Sequence, residues 1–189
     1  MKTLIFSIIA VCALLCSACV PSLHPLYTEA DLTFDPALVG IWIEPEGKET
    51  WDFTIADVNE YRLVHTDDKG KKGEFEVRLV MFDGRTFLDL SPVGPTITQN
   101  DFYAGHIMPV HSFVQLHRTG TDYKISFLDP NWLKSQLGKN PGALRHAIVD
   151  EEILITDTPK NLQKFLTLSL NSPGAFSEPV IVRRRGAKP

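Results

Sequence analysis

Thiols, imidazoles and carboxylates are the side chains here that could do chemistry, and they fall into two regions. Cys12, Cys16 and Cys19 crowd the first nineteen residues, and no cysteine follows. A domain beyond residue 19 therefore holds no disulfide, no cysteine-based zinc site and no thiol nucleophile. The densest polar constellation is Asp101, Tyr103, His106, His111 and His117. Histidines with a carboxylate suit zinc. This run, however, has no H-x-H, no H-E-x-x-H and no i, i+4 helical pair, and Pro109 interrupts it. Hydrogen-bonded histidines on a loop or strand rim fit the spacing better than metal ligands. Ser112 follows His111 directly, which on a strand sends the two side chains to opposite faces. No G-x-S-x-G elbow, Walker loop or G-x-G-x-x-G fingerprint occurs. The expectation is a chain with no catalytic residue, no metal and no cofactor.

The elements that carry these groups begin with a leader. Lys2 gives a positive start, and Leu4 to Leu15 form an apolar run broken only by Ser7. That run is shorter than the roughly 20 residues a permanent bilayer span requires. Residues 1–18 read as a secretory signal peptide. Cys16-Ser17-Ala18-Cys19 resembles the bacterial lipobox at Ser17, Ala18 and Cys19, and departs from it at Cys16, where an aliphatic residue is usual. The resemblance implies cleavage before Cys19, a diacylglyceryl thioether on its sulfur and acylation of the new α-amine. Each buried methylene of such chains contributes about 0.8 kcal/mol, so two or more make a stable anchor. Position 20 is Val rather than Asp, which in Gram-negative lipoproteins implies sorting to the outer membrane, facing the periplasm.

Without the leader roughly 170 residues remain, enough for one domain with a full core. Charged residues are 22% and hydrophobic residues 43%, and the net charge is −4. An acidic domain argues against a nucleic-acid partner, and Arg183-Arg184-Arg185 with Lys188 is too short a basic cluster to reverse that. Residues 19–37, with Pro21, Pro25 and Pro36, read as a lipidated start and tether with part of its length packed on the domain. Fully extended, about 17 residues reach at most ~55–60 Å. Residues 38–189 read as a single β-rich domain, entered through an Asp35-Pro36-Ala37-Leu38 turn.

From Val39 the apolar period is two. It predicts strands at Val39–Glu44, Thr50–Ala56, Glu60–Thr66, Glu74–Phe82, Arg85–Leu90, Pro109–Arg118 and Tyr123–Leu128. Trp51, Phe53 and Ile55 share one buried face, as do Phe75, Val77, Leu79 and Met81. Asp83-Gly84 signals a type I′ hairpin, because both central residues must accept positive φ. Ser91 to Met108 has no clear period and is long for a connection in a compact domain, which suits a lid or binding loop. Asp129-Pro130, Asn140-Pro141 and Thr158-Pro159 each start a short helix, the first stopping at Gly138. Ile148–Thr156 and Pro179–Arg184 complete the set as strands.

A meander of about seven strands, short helices in the C-terminal third and one or two closing strands predict a mainly β fold. Its form is an antiparallel meander closing into a barrel or half-barrel. Gly40-Ile41-Trp42 at the head of the first strand resembles the G-x-W motif of lipocalins, and Thr121-Asp122-Tyr123 resembles their T-D-Y motif. The extra helical segment and the lack of disulfides depart from that family. The resemblance implies that Trp42 plugs the closed end, with Gly40 beside it and an arginine, Arg183, Arg184 or Arg185, across its ring. It also implies an apolar small molecule or lipid at the open end, contacted by Phe102, Tyr103, His106, Met108 and His111. The competing expectation is a membrane-held envelope protein that binds a protein partner through Phe102, Tyr103, Ile107 and Met108, without a ligand pocket.

Overall fold

Alternating apolar residues can bury one face of every strand at once if the sheet closes on itself, and this chain does so. The computed structural model describes residues 19–44, 47, 49–94 and 107–186. Its strands are β1 (Leu32–Thr33), β2 (Gly40–Ile43), β3 (Thr50–Asp57), β4 (Glu60–Thr66), β5 (Lys72–Phe82), β6 (Arg85–Pro92), β7 (Ser112–Thr119), β8 (Asp122–Phe127), β9 (His146–Val149), β10 (Glu152–Ile155) and β11 (Val180–Arg184). Strands β2 to β8 pair in sequence order, and β11 closes the ring between β8 and β2, all antiparallel. The result is an eight-stranded, up-and-down, lipocalin-like barrel with no free edge around the ring. β1 adds to the stretch of β5 beyond the end of β4, pairing with Leu79 and Val80.

The barrel interior is filled by one residue in two from each strand. Trp42, Trp51, Phe53, Tyr61, Leu63, Val77, Leu79, Leu88, Leu90, Val114, Leu116, Tyr123, Ile125 and Val182 form a single buried cluster with Leu38. An eight-stranded ring is just wide enough for such filling. Ile55 and Met81 share the inward parity but are 61% and 55% exposed, against the expectation from the pattern. They stand near the ends of their strands, one pleat beyond Phe53 and Leu79, paired with Tyr61 and Thr86. The turn Asp83-Gly84 has φ of 49° and 68°, as its type I′ signature requires.

Strand β6 is buried on both faces: Leu88 and Leu90 point inward, Phe87 and Asp89 outward. The outward face belongs to a second core. There Val80, Phe87 and Phe113 of the barrel wall meet Leu133 and Leu137 of α1 (Pro130–Lys139) and Leu162, Phe165 and Leu166 of α2 (Pro159–Ser169). Asp129 caps α1 by accepting from Trp132 N at 2.7 Å, and Thr158 caps α2. Helix α1 does not stop at Gly138 but runs to Lys139. The stop comes from Pro141, which disfavours helical backbone at Asn140. The expected single strand over Ile148–Thr156 is a hairpin, β9–β10, turned at Asp150 and Glu151 with φ of 49° and 70°. It forms its own two-stranded sheet, leaving β11 alone to close the barrel.

The N-terminal stretch expected as a tether is part of this second core. Val20 and Leu26 are buried in it, and Ser22 is fully buried. Ser22 exchanges both backbone hydrogen bonds with His111 at 2.8 Å, while Leu23 N donates to Ile155 O and Ile155 N to Pro21 O. Residues 20–26 are thus a strap stitched between the head of β7 and β10. Pro21 and Pro25 permit this because Ser22 and Leu23, between them, keep their N–H groups.

Candidate functional site

The two ends of the barrel differ in chemistry. One end is shut by the segment that precedes β2. Asp35 opens a 3-10 turn by accepting from Ala37 N at 2.9 Å. Its backbone N donates to the Tyr61 hydroxyl at 2.7 Å, and the Tyr123 hydroxyl donates to its second carboxylate oxygen at 2.9 Å. Phe34 stacks on Tyr61 at 4.8 Å between ring centroids. Burial first, and then the Asp35 carboxylate, holds the Tyr123 phenol far above its usual range. Tyr61 is pushed up to about 12, again mainly by burial. Both rings therefore stay protonated donors at any ordinary pH.

Trp42 lies in this plug, 2% exposed, with its indole N–H donating to Leu38 O at 2.7 Å and Tyr123 edge-on at 4.8 Å. The Arg184 guanidinium lies 5.6 Å from the Trp42 ring centroid and donates to Val39 O. Arg183, one residue away, faces outward and pairs with Asp122 at 3.2 Å. Gly40 has φ of +133°, and a Cβ there would sit 2.7 Å from Arg184 Nη2. Glycine is favoured by the backbone, since other residues rarely adopt this φ, and a side chain there would also displace the Arg184 guanidinium. The structure thus brings Gly40, Trp42 and Arg184 together and leaves Arg183 out.

At the opposite end, where β3 begins and β4 finishes, the interior turns polar. Trp51 pairs with Trp42 in the β2–β3 register and is 8% exposed. Its ring meets His65 edge-on at 4.7 Å, and His65 Nε2 lies 3.2 Å from a Glu49 carboxylate oxygen. Burial, reinforced by Glu49 and opposed by His65, pushes the Glu44 carboxyl above its usual range. Phe75, Phe127 and Val180 pack half-buried around the cluster. Trp51 Nε1 is buried without a hydrogen-bond partner, and no other buried side-chain polar atom among the described residues is so placed. An unmet indole donor inside an apolar barrel costs about 1–3 kcal/mol. A ligand oxygen arriving at this end would satisfy it.

Asp101, Phe102, Tyr103 and His106 lie outside the described residues. Met108 is 70% exposed. His111 belongs to neither the barrel interior nor its rim. Its Nδ1 lies 2.7 Å from Asp89, whose other carboxylate oxygen accepts from Leu26 N at 2.7 Å, so it latches the N-terminal strap to β6. His117 is exposed on the outer wall. No cluster of three or more metal-ligating side chains occurs among the described residues. The group of Trp51, His65, Glu49 and Glu44 was not singled out from the sequence. Its one signal is His65, a polar residue sharing the inward parity of Tyr61 and Leu63. Cys19 is exposed, immediately before the buried Val20. Among the described residues, no helix is long and apolar enough to cross a membrane. No family model, curated protein or solved structure matches the chain.

Proposed function

We propose that this chain is an envelope lipoprotein, anchored through Cys19 at the outer membrane, that takes an apolar small molecule bearing a hydrogen-bond acceptor at the Trp51 end of its otherwise filled barrel. The observation that carries the binding reading is the unpartnered Trp51 indole N–H at this end, while the other end is sealed by the Asp35 turn and the Trp42–Arg184 stack. Apolar walls with a few convergent polar groups are the usual make-up of a ligand site. The half-buried Phe75, Phe127 and Val180 supply the walls, and Trp51 and His65 supply the polar groups. The anchor reading is supported by the leader and by the Ser17-Ala18-Cys19 pattern.

Both cores lie between Val20 and Val182, so a soluble chain beginning at Val20 serves for the binding test. An environment-sensitive apolar dye carrying a carboxylate should bind it saturably at one site. Trp51→Phe should weaken that binding about tenfold, the value of one hydrogen bond to a charged acceptor. It should leave a dye without an acceptor unaffected. Absence of saturable binding, or an equal effect on both dyes, refutes the reading. The exposed Ile107 and Met108 favour the alternative, an anchored protein-interaction module. Crosslinking from position 108 in cells that yields a protein adduct would support it.

A further inference from the structure

The strap leaves no slack between the lipid and the fold. Val20 is 5% exposed, and the backbone is hydrogen-bonded to β10 from Pro21 onward. The one residue between the lipidated sulfur and the second core is therefore Cys19 itself. Ser22 sits beside Ile155 in parallel sense. Pro21 has no N–H to carry this pairing further back, but Val20 is buried in the same core as Ile153, the residue after Glu152. Glu152 is in turn paired with Val149. Cys19, one residue before Val20, therefore attaches the lipid on the flank of the domain that carries this hairpin. Val149 and Ile148 are 51% and 59% exposed and leave opposite faces of the hairpin's outer strand, flanking its edge.

We infer that the lipid at Cys19 holds the domain flush against the bilayer by its strap-and-hairpin flank, with Ile148 and Val149 at headgroup level. This rests on the anchor reading above and adds to it a fixed orientation and a lipid-contacting surface. The depth is shallow. Asp150 and Glu151 form the hairpin tip next to the pair, and ionised carboxylates do not enter hydrocarbon without a large cost. The bilayer is the occupant because the leash to it has no free length, so the anchor itself brings the lipid surface to this flank. The barrel wall opposite, β3, is diametrically across the eight-strand ring from β7, to whose head the strap is sewn.

The test uses the full chain, exported and lipidated in a Gram-negative host and reconstituted into phosphatidylethanolamine-rich vesicles. Once Cys19 carries lipid and the leader with Cys12 and Cys16 is removed, Val149→Cys or Thr54→Cys supplies the sole thiol for a fluorophore. Thr54 is an exposed residue of β3. A nitroxide near the head of the acyl chain should quench the label at 149 several-fold more than the label at 54. A spacer of about ten Gly and Ser residues after Cys19, roughly 17 Å in r.m.s. length, should abolish the difference while the protein stays on the vesicles. Equal quenching at the two positions in anchored protein overturns the orientation, as does a difference that survives the spacer. Failure of the chain to float with vesicles overturns the anchor reading instead.

Discussion

Asp89→Ala should unfasten the N-terminal strap, and its size can be worked from the contacts. The Asp89 side chain is 2% exposed on the outer face of β6. It accepts from Leu26 N and from His111 Nδ1, both at 2.7 Å. A carboxylate only accepts, so Nδ1 carries the hydrogen. Hydrogen bonds to a charged group contribute about 1.5–3 kcal/mol each. Alanine removes both and strands two donors at the edge of the second core, so the loss should be about 3–5 kcal/mol, the usual cost of breaking a buried pair. In a domain of this size that lowers Tm by roughly 6–20 °C. Asp89→Asn keeps one acceptor and should lose about half as much. Urea unfolding gives the free energy. Chymotrypsin, cutting at Leu23, Leu26 or Tyr27, reports whether the strap has opened below the global transition. A loss under about 1 kcal/mol, or a strap as resistant as in the parent, would refute the latch.

Three further outcomes bear on the sealed end. Arg184→Ala removes the contact over Trp42 and the bond to Val39 O and should cost about 1–2 kcal/mol by urea unfolding. Gly40→Ala forces a Cβ toward that guanidinium at φ +133° and should cost about 1–3 kcal/mol from backbone strain alone. Raising the pH should also loosen the plug. Tyr61 and Tyr123 have folded pKa values above their ordinary 10.0, so the stability they give is complete below that value. For Tyr61 it is lost as pH climbs toward about 12, with Tyr123 continuing above. Tyr123→Phe should flatten the alkaline limb of a stability–pH curve, and an unchanged limb would count against this account.

The barrel wall was legible because its strands alternate and their turns carry glycine or aspartate where positive φ is needed, as at Asp83-Gly84. The β9–β10 hairpin was missed for the converse reason: Asp150 and Glu151 take the same conformation without a glycine to announce it. The second core left a fainter trace. Phe87-Leu88 is apolar on both faces of one strand, the mark of a wall covered from outside as well as in. Pro21 and Pro25 pointed to a spacer, and only tertiary pairing through Ser22 and Leu23 reveals the strap. The Trp51 group escaped because Trp51 and His65 sit on strands whose pattern is otherwise that of plain core. Only their meeting across β3 and β4 shows the indole donor left unmet.

The position of β11 has a consequence for how the chain reaches its final form. Arg184 pairs with Trp42, and Ile181 with Lys124, so the ring cannot shut until Val180–Arg184 are available. A chain that emerges from its N-terminus first must hold the rims of β2 and β8 open while α1, the hairpin and α2 are still being made. Exposed strand rims are templates for pairing with other chains, and contacts so distant in sequence form slowly. The nascent barrel therefore passes through a stage at which a truncated product is not merely unstable but adhesive, and a stop codon before Val180 should yield aggregate rather than a smaller soluble domain.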